Sequence, residues 1–231
     1  DAETLRAMAD RARASIESAK IAQLLHLLRD FPDQIVIFTQ FRMTQDVLRR
    51  ALADAGESVA VFHGGLTRVE KEAAIRAFQR GARILLSSEA GSEGRNLQFC
   101  HALCNFDLPW NPMRIEQRIG RLSRIGQTRD VHVFNLASAG TIEADVLHLL
   151  EAKINLFEMV IGEIGMILGN LDEEREFEDI VIDLWAQSAD DDQFRRRMDD
   201  LGDRLIEAKR AYLDQREYDD RLFADRFAPK D

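Results

Sequence analysis

The sequence predicts an α/β fold, a parallel β-sheet sandwiched by helices, with an N-terminal helix before it and an all-helical extension after it. Between residues 34 and 138, short apolar runs alternate with stretches whose apolar residues recur at helical spacing. Strands that alternate with helices along a chain pair in parallel, because each return crossover needs a helix. We therefore expect a helical segment at 1–30, a sheet domain at 31–160 and an acidic helical extension at 161–231.

Turn and cap residues mark where the elements of the sheet domain begin and end. Thr44 is expected to cap a helix that Gly56 terminates, since glycine suits the residue after a helix. Thr67 and Glu70 have the spacing of a capping box, and Gly81 follows that helix. Five apolar runs are expected to be strands: 35–38, 59–62, 83–88, 102–106 and 131–136.

The best-marked helix is expected to begin near residue 111. Asn111 is a favourable N-cap, and Pro112 suits the first helical position because its missing N–H would be unpaired there anyway. One stripe of this helix is apolar and can anchor it in a core. The stripe consists of Ile115, Ile119 and Leu122.

A row of polar side chains lies on the opposite side of this helix. With about 100° of rotation per residue, Gln117, Arg121 and Arg124 project together. Arg118 lies about 100° away and is a weaker candidate. Arginine carries a permanent charge and a rigid fork of donors that matches phosphate oxygens, so the row favours a nucleotide phosphate. A solvated charged face is the alternative that this pattern leaves open.

Residues 171–231 hold 20 acidic and 11 basic side chains, so most of the net charge of −10 lies there. Such a surface repels phosphate and suits solvent or a protein partner. Two helices are expected in this extension. The longer carries an apolar seam in steps of four and three at Phe194, Met198, Leu201, Leu205, Ala208 and Tyr212, and the shorter presents Phe177, Val181 and Leu184.

Composition excludes several classes of protein. No apolar run approaches the ~18 residues that a membrane span needs. Cys100 and Cys104 are the two cysteines, which excludes a disulfide framework and suits a reducing cytoplasm. With His101 they supply three of the four ligands of a structural zinc site, so no metal site is expected. The chain begins at Asp1, and we expect it to be a piece of a longer protein.

A phosphate-binding Gly-x-x-x-x-Gly-Lys loop is missing from the sequence. Residues 172–175, Asp-Glu-Glu-Arg, imitate the acidic box that accompanies such a loop. They follow Gly169 and Asn170 rather than ending an apolar strand, and we interpret them as the negatively charged start of a helix. The part of an ATPase that grips the phosphates and Mg²⁺ is therefore not expected here.

Five motifs appear in the order of a known family: residues 35–41, 62–65, 85–97, 107–112 and 117–127. The chain resembles the second, RecA-like motor lobe of Swi/Snf-type ATPases over about residues 33–150. Asp-Leu-Pro-Trp-Asn-Pro at 107–112 and Arg-Ile-Gly-Gln at 124–127 are especially similar to that family. Gly-Ser-Glu-Gly-Arg-Asn-Leu at 91–97 is similar to the bacterial, RNA-polymerase-associated branch of the family.

The resemblance implies a nucleotide site that uses ATP with Mg²⁺, the metal being held mainly by a first lobe outside this chain. Arg121 and Arg124 match the paired arginine fingers, which stabilise charge on the transferred phosphoryl group. Gln117 matches a nucleotide-sensing residue. Gly94 would let the backbone approach the nucleotide, since glycine has no Cβ.

The resemblance also implies contacts with a nucleic-acid backbone. Trp110 matches an aromatic residue that couples this surface to the nucleotide. Glu89 and Glu93 replace the arginine and leucine of many relatives and would weaken phosphate binding, and His63 replaces a common aspartate. The residues that match phosphodiester contacts are Thr39, Gln40, Ser88 and Gly91.

The resemblance therefore implies the second lobe of an ATP-dependent translocase on double-stranded DNA, in the bacterial cytoplasm at the nucleoid, inactive as an ATPase without its first lobe. One alternative is a protein-interaction module that docks on RNA polymerase or another partner through its acidic helices. The acidic helices can instead brace the lobe from within. Another alternative is a DEAD-box RNA helicase, in which the Gln117 position usually holds histidine and Trp-Asn-Pro is absent.

Overall fold

The computed structural model describes residues 19–88, 97–123, 126–153, 163–169 and 176–227. The chain divides into two compact units, and one of the three boundaries between them falls within a helix. Unit 1 comprises Asp1–Pro109 and Arg118–Thr141, and unit 2 comprises Trp110–Gln117 and Ile142–Asp231. The expected boundaries at residues 30 and 160 stay predictions.

Unit 1 is built on a five-stranded sheet in which every neighbouring pair is parallel. The order is β2-β3-β1-β4-β5, so the first strand of the chain lies at the centre. Thr39 pairs with Ser88, and Phe38 pairs with Asn105, which aligns the carboxyl ends of three strands. The strands are β1 (Ile35–Thr39), β2 (Val59–Phe62), β3 (Ile84–Ser88), β4 (Ala102–Asn105) and β5 (His132–Asn135).

Apolar clusters cover both faces of this sheet, which confirms the predicted α/β architecture. On one face, Leu24 and Leu28 of helix α1 (19–30) pack with Leu48 of α2 (Arg42–Asp54). On the other face, Phe78 of α3 (Arg68–Gln79) belongs to the same apolar cluster as Leu122. The inner strands are buried on both sides because alternate side chains point to opposite faces.

Local signals explain most of the helix ends. Thr67 and Glu70 form the predicted capping box at the start of α3. Gly56 and Gly81 have φ values of 81° and 117°, a conformation that costs glycine little. The predicted cap at Thr44 is wrong, because α2 begins at Arg42 with Phe41 as the N-cap residue. Thr44 is buried inside the helix, and tertiary packing outweighs its capping preference.

The prediction of one helix through Arg124 is also wrong. Helix α4 spans Pro112–Ile119, and Asn111 accepts a hydrogen bond from the Met113 amide as expected of an N-cap. After Ile119 the chain tightens, with the amide of Arg121 donating to the carbonyl oxygen of Arg118 at 3.2 Å. Gly120 at this point weakens helical continuation. Arg121 therefore lies in a turn.

Unit 2 is helical in its described part, and its apolar seam is confirmed. Phe194, Met198, Leu201, Leu205 and Ala208 are buried, and Tyr212 is half-buried. The longest described helix, α8 (Asp191–Phe227), packs against each of the other described elements that follow Thr141. Those elements are α5 (Ile142–His148), a π-helical turn (Leu149–Lys153), α6 (Glu163–Gly169) and α7 (Phe177–Ala186). None of the described helices combines the length and the apolar character that crossing a membrane requires.

Candidate phosphate-binding edge

Polar side chains of unit 1 gather at the carboxyl ends of β1 and β4, where ligands of parallel sheets commonly bind. Asp107 lies two residues beyond β4. One of its carboxylate oxygens accepts a hydrogen bond from the Thr39 hydroxyl at 2.5 Å and another from the Gln40 amide at 3.1 Å. The Gln40 side chain donates to the carbonyl oxygen of Leu108 at 3.5 Å. Asp107 thus fixes the chain where β1 ends.

Arg118 is buried near the same strand ends, with 3% of its surface exposed. Its Nη1 atom donates to Oδ1 of Asn105 at 2.6 Å and to the main-chain oxygen of Asp107 at 3.2 Å. The guanidinium carbon lies 5.0 Å from the centre of the Phe38 ring, which allows a cation–π interaction. Asn105 in turn donates to Oδ1 of Asn135 at 2.8 Å. Arg118 therefore joins β1, β4 and β5 at their carboxyl ends.

The main chain of Arg121 is held from two directions. Its carbonyl oxygen accepts from the amide of Leu97 at 3.1 Å, while its own amide bonds to Arg118. The next residue, Leu122, is fully buried, and the Gln127 side chain donates to its carbonyl oxygen at 3.3 Å. The Arg121 side chain is half-buried. A fixed backbone that carries a half-buried arginine suits phosphate binding.

The remaining sequence-predicted residues fall into three groups. Gln117 is exposed on α4, and Trp110 is half-buried just before that helix. Thr39 and Ser88 are buried, and the Thr39 hydroxyl already donates to Asp107, so this geometry does not present it to a phosphodiester. Gly91, Gly94 and Arg124, like Glu89 and Glu93, lie outside the residues that the structure describes.

His63 lies after β2 and contacts Arg42, the first residue of α2. Nη1 of Arg42 and Nδ1 of His63 are 2.6 Å apart. Because the guanidinium only donates, the ring nitrogen must accept, which requires neutral histidine. Burial, and then the charge of Arg42, lowers the pKa of His63. His63 thus behaves as a polar residue at the end of β2.

Sequence reasoning missed Asp107, Arg118 and Arg42. Asp107 and Arg118 both lie inside the family motifs, so a signal for them existed. Helical rotation set Arg118 aside because it points away from the Gln117 row. That direction leads to Asn105 and Asp107. We call the hydrogen-bonded group of Thr39, Asn105, Asp107 and Arg118 the polar core of unit 1.

The donor set of this edge fits a phosphate rather than a metal. Arginine carries donors and no acceptor, so Arg121 cannot coordinate a cation, and the Asp107 oxygen that holds the end of β1 accepts two hydrogen bonds. Among the described residues, no three His, Cys, Asp or Glu side chains are placed to hold a metal ion. Cys100 and Cys104 are free and buried, and burial raises the pKa of the Cys104 thiol to about 12. Such a thiol is a poor ligand, because the thiolate is the form that binds metals.

The motifs and this geometry agree with a family comparison. Residues 19–126 match the helicase conserved C-terminal domain. This stretch is a helicase C-terminal domain. The domain includes every residue that the sequence assigned to nucleotide or nucleic acid, from Thr39 to Arg124. The resemblance to the second lobe of helicase-like ATPases is therefore confirmed.

Curated relatives of this helicase domain are longer than the chain. An uncharacterised ATP-dependent helicase, YqhH of Bacillus subtilis, is 41% identical over 87% of the chain and 36% of its own length. The RNA polymerase-associated protein RapA of Photobacterium profundum is 38% identical over 60% of the chain and 15% of its own length. The chain thus spans about a third of the first relative and less of the second.

A solved structure is similar to the helicase domain in fold. The C-terminal part of the Fun30 ATPase domain has a TM-score of 0.52 and 26% identity. The similarity covers 56% of this chain and 44% of that one. It supports the RecA-like architecture predicted from the motifs.

Proposed function

We propose that this chain is the second motor lobe of an ATP-dependent translocase that moves on double-stranded DNA and remodels nucleoprotein at the bacterial nucleoid. The observation that carries the proposal is Arg121, a partly exposed arginine on a turn fixed by main-chain bonds within a helicase C-terminal domain. The lobe supplies charged donors and backbone contacts. A first lobe supplies the phosphate loop and most of the Mg²⁺ ligands.

In this proposal Arg121 and Arg124 are arginine fingers that bind ATP at its terminal phosphate. Their positive charge stabilises the negative charge that spreads over the equatorial oxygens during phosphoryl transfer, an effect of about 10³ to 10⁵ in rate. Gln117 senses the nucleotide, and Gly94 lets the main chain approach it. ATP supplies the bond that is broken, and the residues of this chain position and stabilise the phosphate.

The nucleic-acid role falls to residues at the strand ends and in the following loops. Gln40, Ser88 and Gly91 contact the phosphodiester backbone, a sequence-independent mode that suits a translocase. Thr39 acts through Asp107, which its hydroxyl holds. Trp110 couples the nucleic-acid surface to the nucleotide. Exposed Phe41 and Arg42, next to Gln40, extend the surface available to DNA.

The test measures ATP hydrolysis by the full-length protein with duplex DNA, single-stranded DNA and RNA. Duplex DNA is expected to stimulate hydrolysis most. Arg121→Ala should lower the stimulated rate by about 10³-fold or more and leave most of the DNA affinity. Arg114→Ala, at an exposed arginine on α4, is the matched control. The chain by itself should show no turnover.

Two results decide against the proposal. Turnover by the chain alone that Arg121→Ala removes would place a complete ATPase site in this chain. Stimulation by RNA but not by duplex DNA would favour the RNA-helicase alternative.

A second candidate function is docking on a protein partner through the acidic helices. The observation that favours it is an apolar patch on α7, where Ile182 and Trp185 are 45% and 55% exposed. Carboxylates of the same helix, including Asp179, flank the patch. Purified RNA polymerase is the partner to test, since one relative is named as associated with it. Trp185→Ala should weaken that binding at least tenfold, and Leu213→Ala on α8 is the control; unchanged binding would reject this surface.

A further inference from the structure

The polar core of unit 1 connects the strand end that carries Gln40 to the turn that carries Arg121. Asp107 forms hydrogen bonds with both the strand end and Arg118. Its carboxylate accepts from Thr39 and Gln40, and its main-chain oxygen accepts from Arg118. Three residues after Arg118, the turn presents Arg121.

The contacts of this connection range from 2.5 to 3.2 Å, and three of the side chains that make them are buried. Thr39, Asn105 and Arg118 are all buried, and the Arg118 guanidinium lies 2.6 Å from the Asn105 oxygen. Hydrogen bonds of a charged group are stronger than neutral ones, and burial strengthens them further. A buried charge that loses its partners is strongly unfavourable, so the contacts hold one geometry.

We propose that Arg118, together with Asp107, is a positioning residue that couples nucleic-acid contact at Gln40 to the placement of Arg121. A shift of the Thr39–Gln40 main chain on nucleic-acid binding displaces the Asp107 carboxylate. Asp107 and Arg118 move together because they share a hydrogen bond, and the Arg121 turn follows Arg118. This inference rests on the proposed function. It assigns a role to Arg118, a residue that helical rotation had made a weaker candidate.

The expected loss of ATPase rate in Arg118→Lys follows from the geometry of the turn that carries Arg121. A lysine ammonium ends about one bond length short of the guanidinium nitrogens and lacks their planar fork. In Arg118→Lys the new group can reach Asn105 and Asp107 only if the turn moves towards β4. A displacement of about 1 Å at a catalytic arginine costs up to about 10²-fold in rate.

The experiment uses the full-length protein and measures kcat and KM for ATP with and without saturating duplex DNA. Arg118→Lys is expected to lower kcat with DNA about 10- to 100-fold, while KM for ATP changes less than about threefold. The ratio of stimulated to unstimulated rate should fall as well. Asp107→Asn, which keeps the main-chain oxygen but weakens acceptance from Thr39 and Gln40, should lower that ratio in the same direction.

Matched variants separate positioning from folding. Arg114→Lys alters an arginine on the same helix that is half exposed and lies 3.6 Å from Glu178, and it should leave both parameters unchanged. Protection of Cys100 and Cys104 from a thiol reagent reports whether unit 1 is folded. Arg118→Lys keeps the buried charge, so it tests the position of the turn without removing the cation from the interior.

The outcomes are distinguishable from failure of the proposed function. Wild-type protein that shows DNA-stimulated hydrolysis lost in Arg121→Ala upholds that function. If Arg118→Lys and Asp107→Asn then retain wild-type stimulation, the coupling role is rejected. Loss of kcat in Arg118→Lys with an unchanged stimulation ratio also rejects it, since Arg118 would then support structure alone.

Discussion

Gln45 offers a direct test of how the sheet is tied to α2. Its side chain is 1% exposed, and its Nε2 atom donates to the main-chain oxygens of Phe62 and Leu86, both at 3.0 Å. One amide thus connects the end of β2 and the middle of β3 to the helix. Gln45→Met replaces it with an apolar side chain of similar length and removes both bonds.

The magnitude follows from three contributions. Each lost hydrogen bond lowers the free energy of unfolding by about 1 kcal/mol, and a buried carbonyl left short of a donor adds to that cost. In the other direction, Oε1 of Gln45 is buried without a hydrogen-bond partner, and the methionine removes that unfavourable oxygen. The net expected loss is about 1–2 kcal/mol.

Gln34→Met is the matched control. The Gln34 amide also donates to two main-chain oxygens, those of Phe78 at 2.6 Å and Ala82 at 2.9 Å, but it is only half-buried. Water can replace its bonds, so the expected loss is below about 1 kcal/mol. The comparison isolates burial as the cause.

The assay follows each unit separately during urea unfolding. Cys100 and Cys104 lie in unit 1, so a pulse of thiol reagent reports its unfolding, whereas Trp110 and Trp185 report unit 2 by fluorescence. Gln45→Met should lower the thiol midpoint at unchanged slope and leave the fluorescence midpoint alone. A loss no greater than that of Gln34→Met would refute the reasoning.

Two further predictions concern the N-cap of α3 and the protonation of His101. Thr67→Ala removes the hydroxyl that accepts from the Glu70 amide, and should cost unit 1 about 1 kcal/mol in the thiol assay, with Thr67→Ser close to wild type. Burial, and then the charge of Arg129, lowers the pKa of His101 from 6.5. The unfolded chain therefore takes up this proton first, so stability is present above pH 6.5 and declines as pH falls through that value towards the folded pKa. His101→Gln should flatten that decline in midpoints measured from about pH 7 to about pH 5; an unchanged slope would assign it to other groups.

The sheet could be predicted because its signals are local. Residues 35–38 and 84–86 are continuous apolar runs, and central strands of a parallel sheet are buried on both faces, so the runs needed no tertiary information. The Thr67 capping box is equally local, since its two partners are three residues apart. The family motifs then placed the candidate site on the helicase domain.

The polar core could not be predicted in the same way. Arg118 meets Asn105 and Asp107 because α4 returns to the ends of β1 and β4, and no periodicity in the sequence encodes that meeting. Rotation about an ideal helix also assumed that α4 continues, whereas it ends at Ile119. A buried charge satisfied by non-local partners is visible only once the topology is known.

The central place of β1 has a consequence for how the chain folds during synthesis. β1 emerges first of the five strands, yet its two neighbours are β3 and β4, which follow about 45 and 65 residues later. Until both have left the ribosome, the apolar run at Ile35–Thr39 lacks its final partners. Pairing of such distant segments is slow, because loop closure must precede the contacts that reward it. The nascent sheet therefore passes through a period in which its central strand is exposed to chaperones and to other chains.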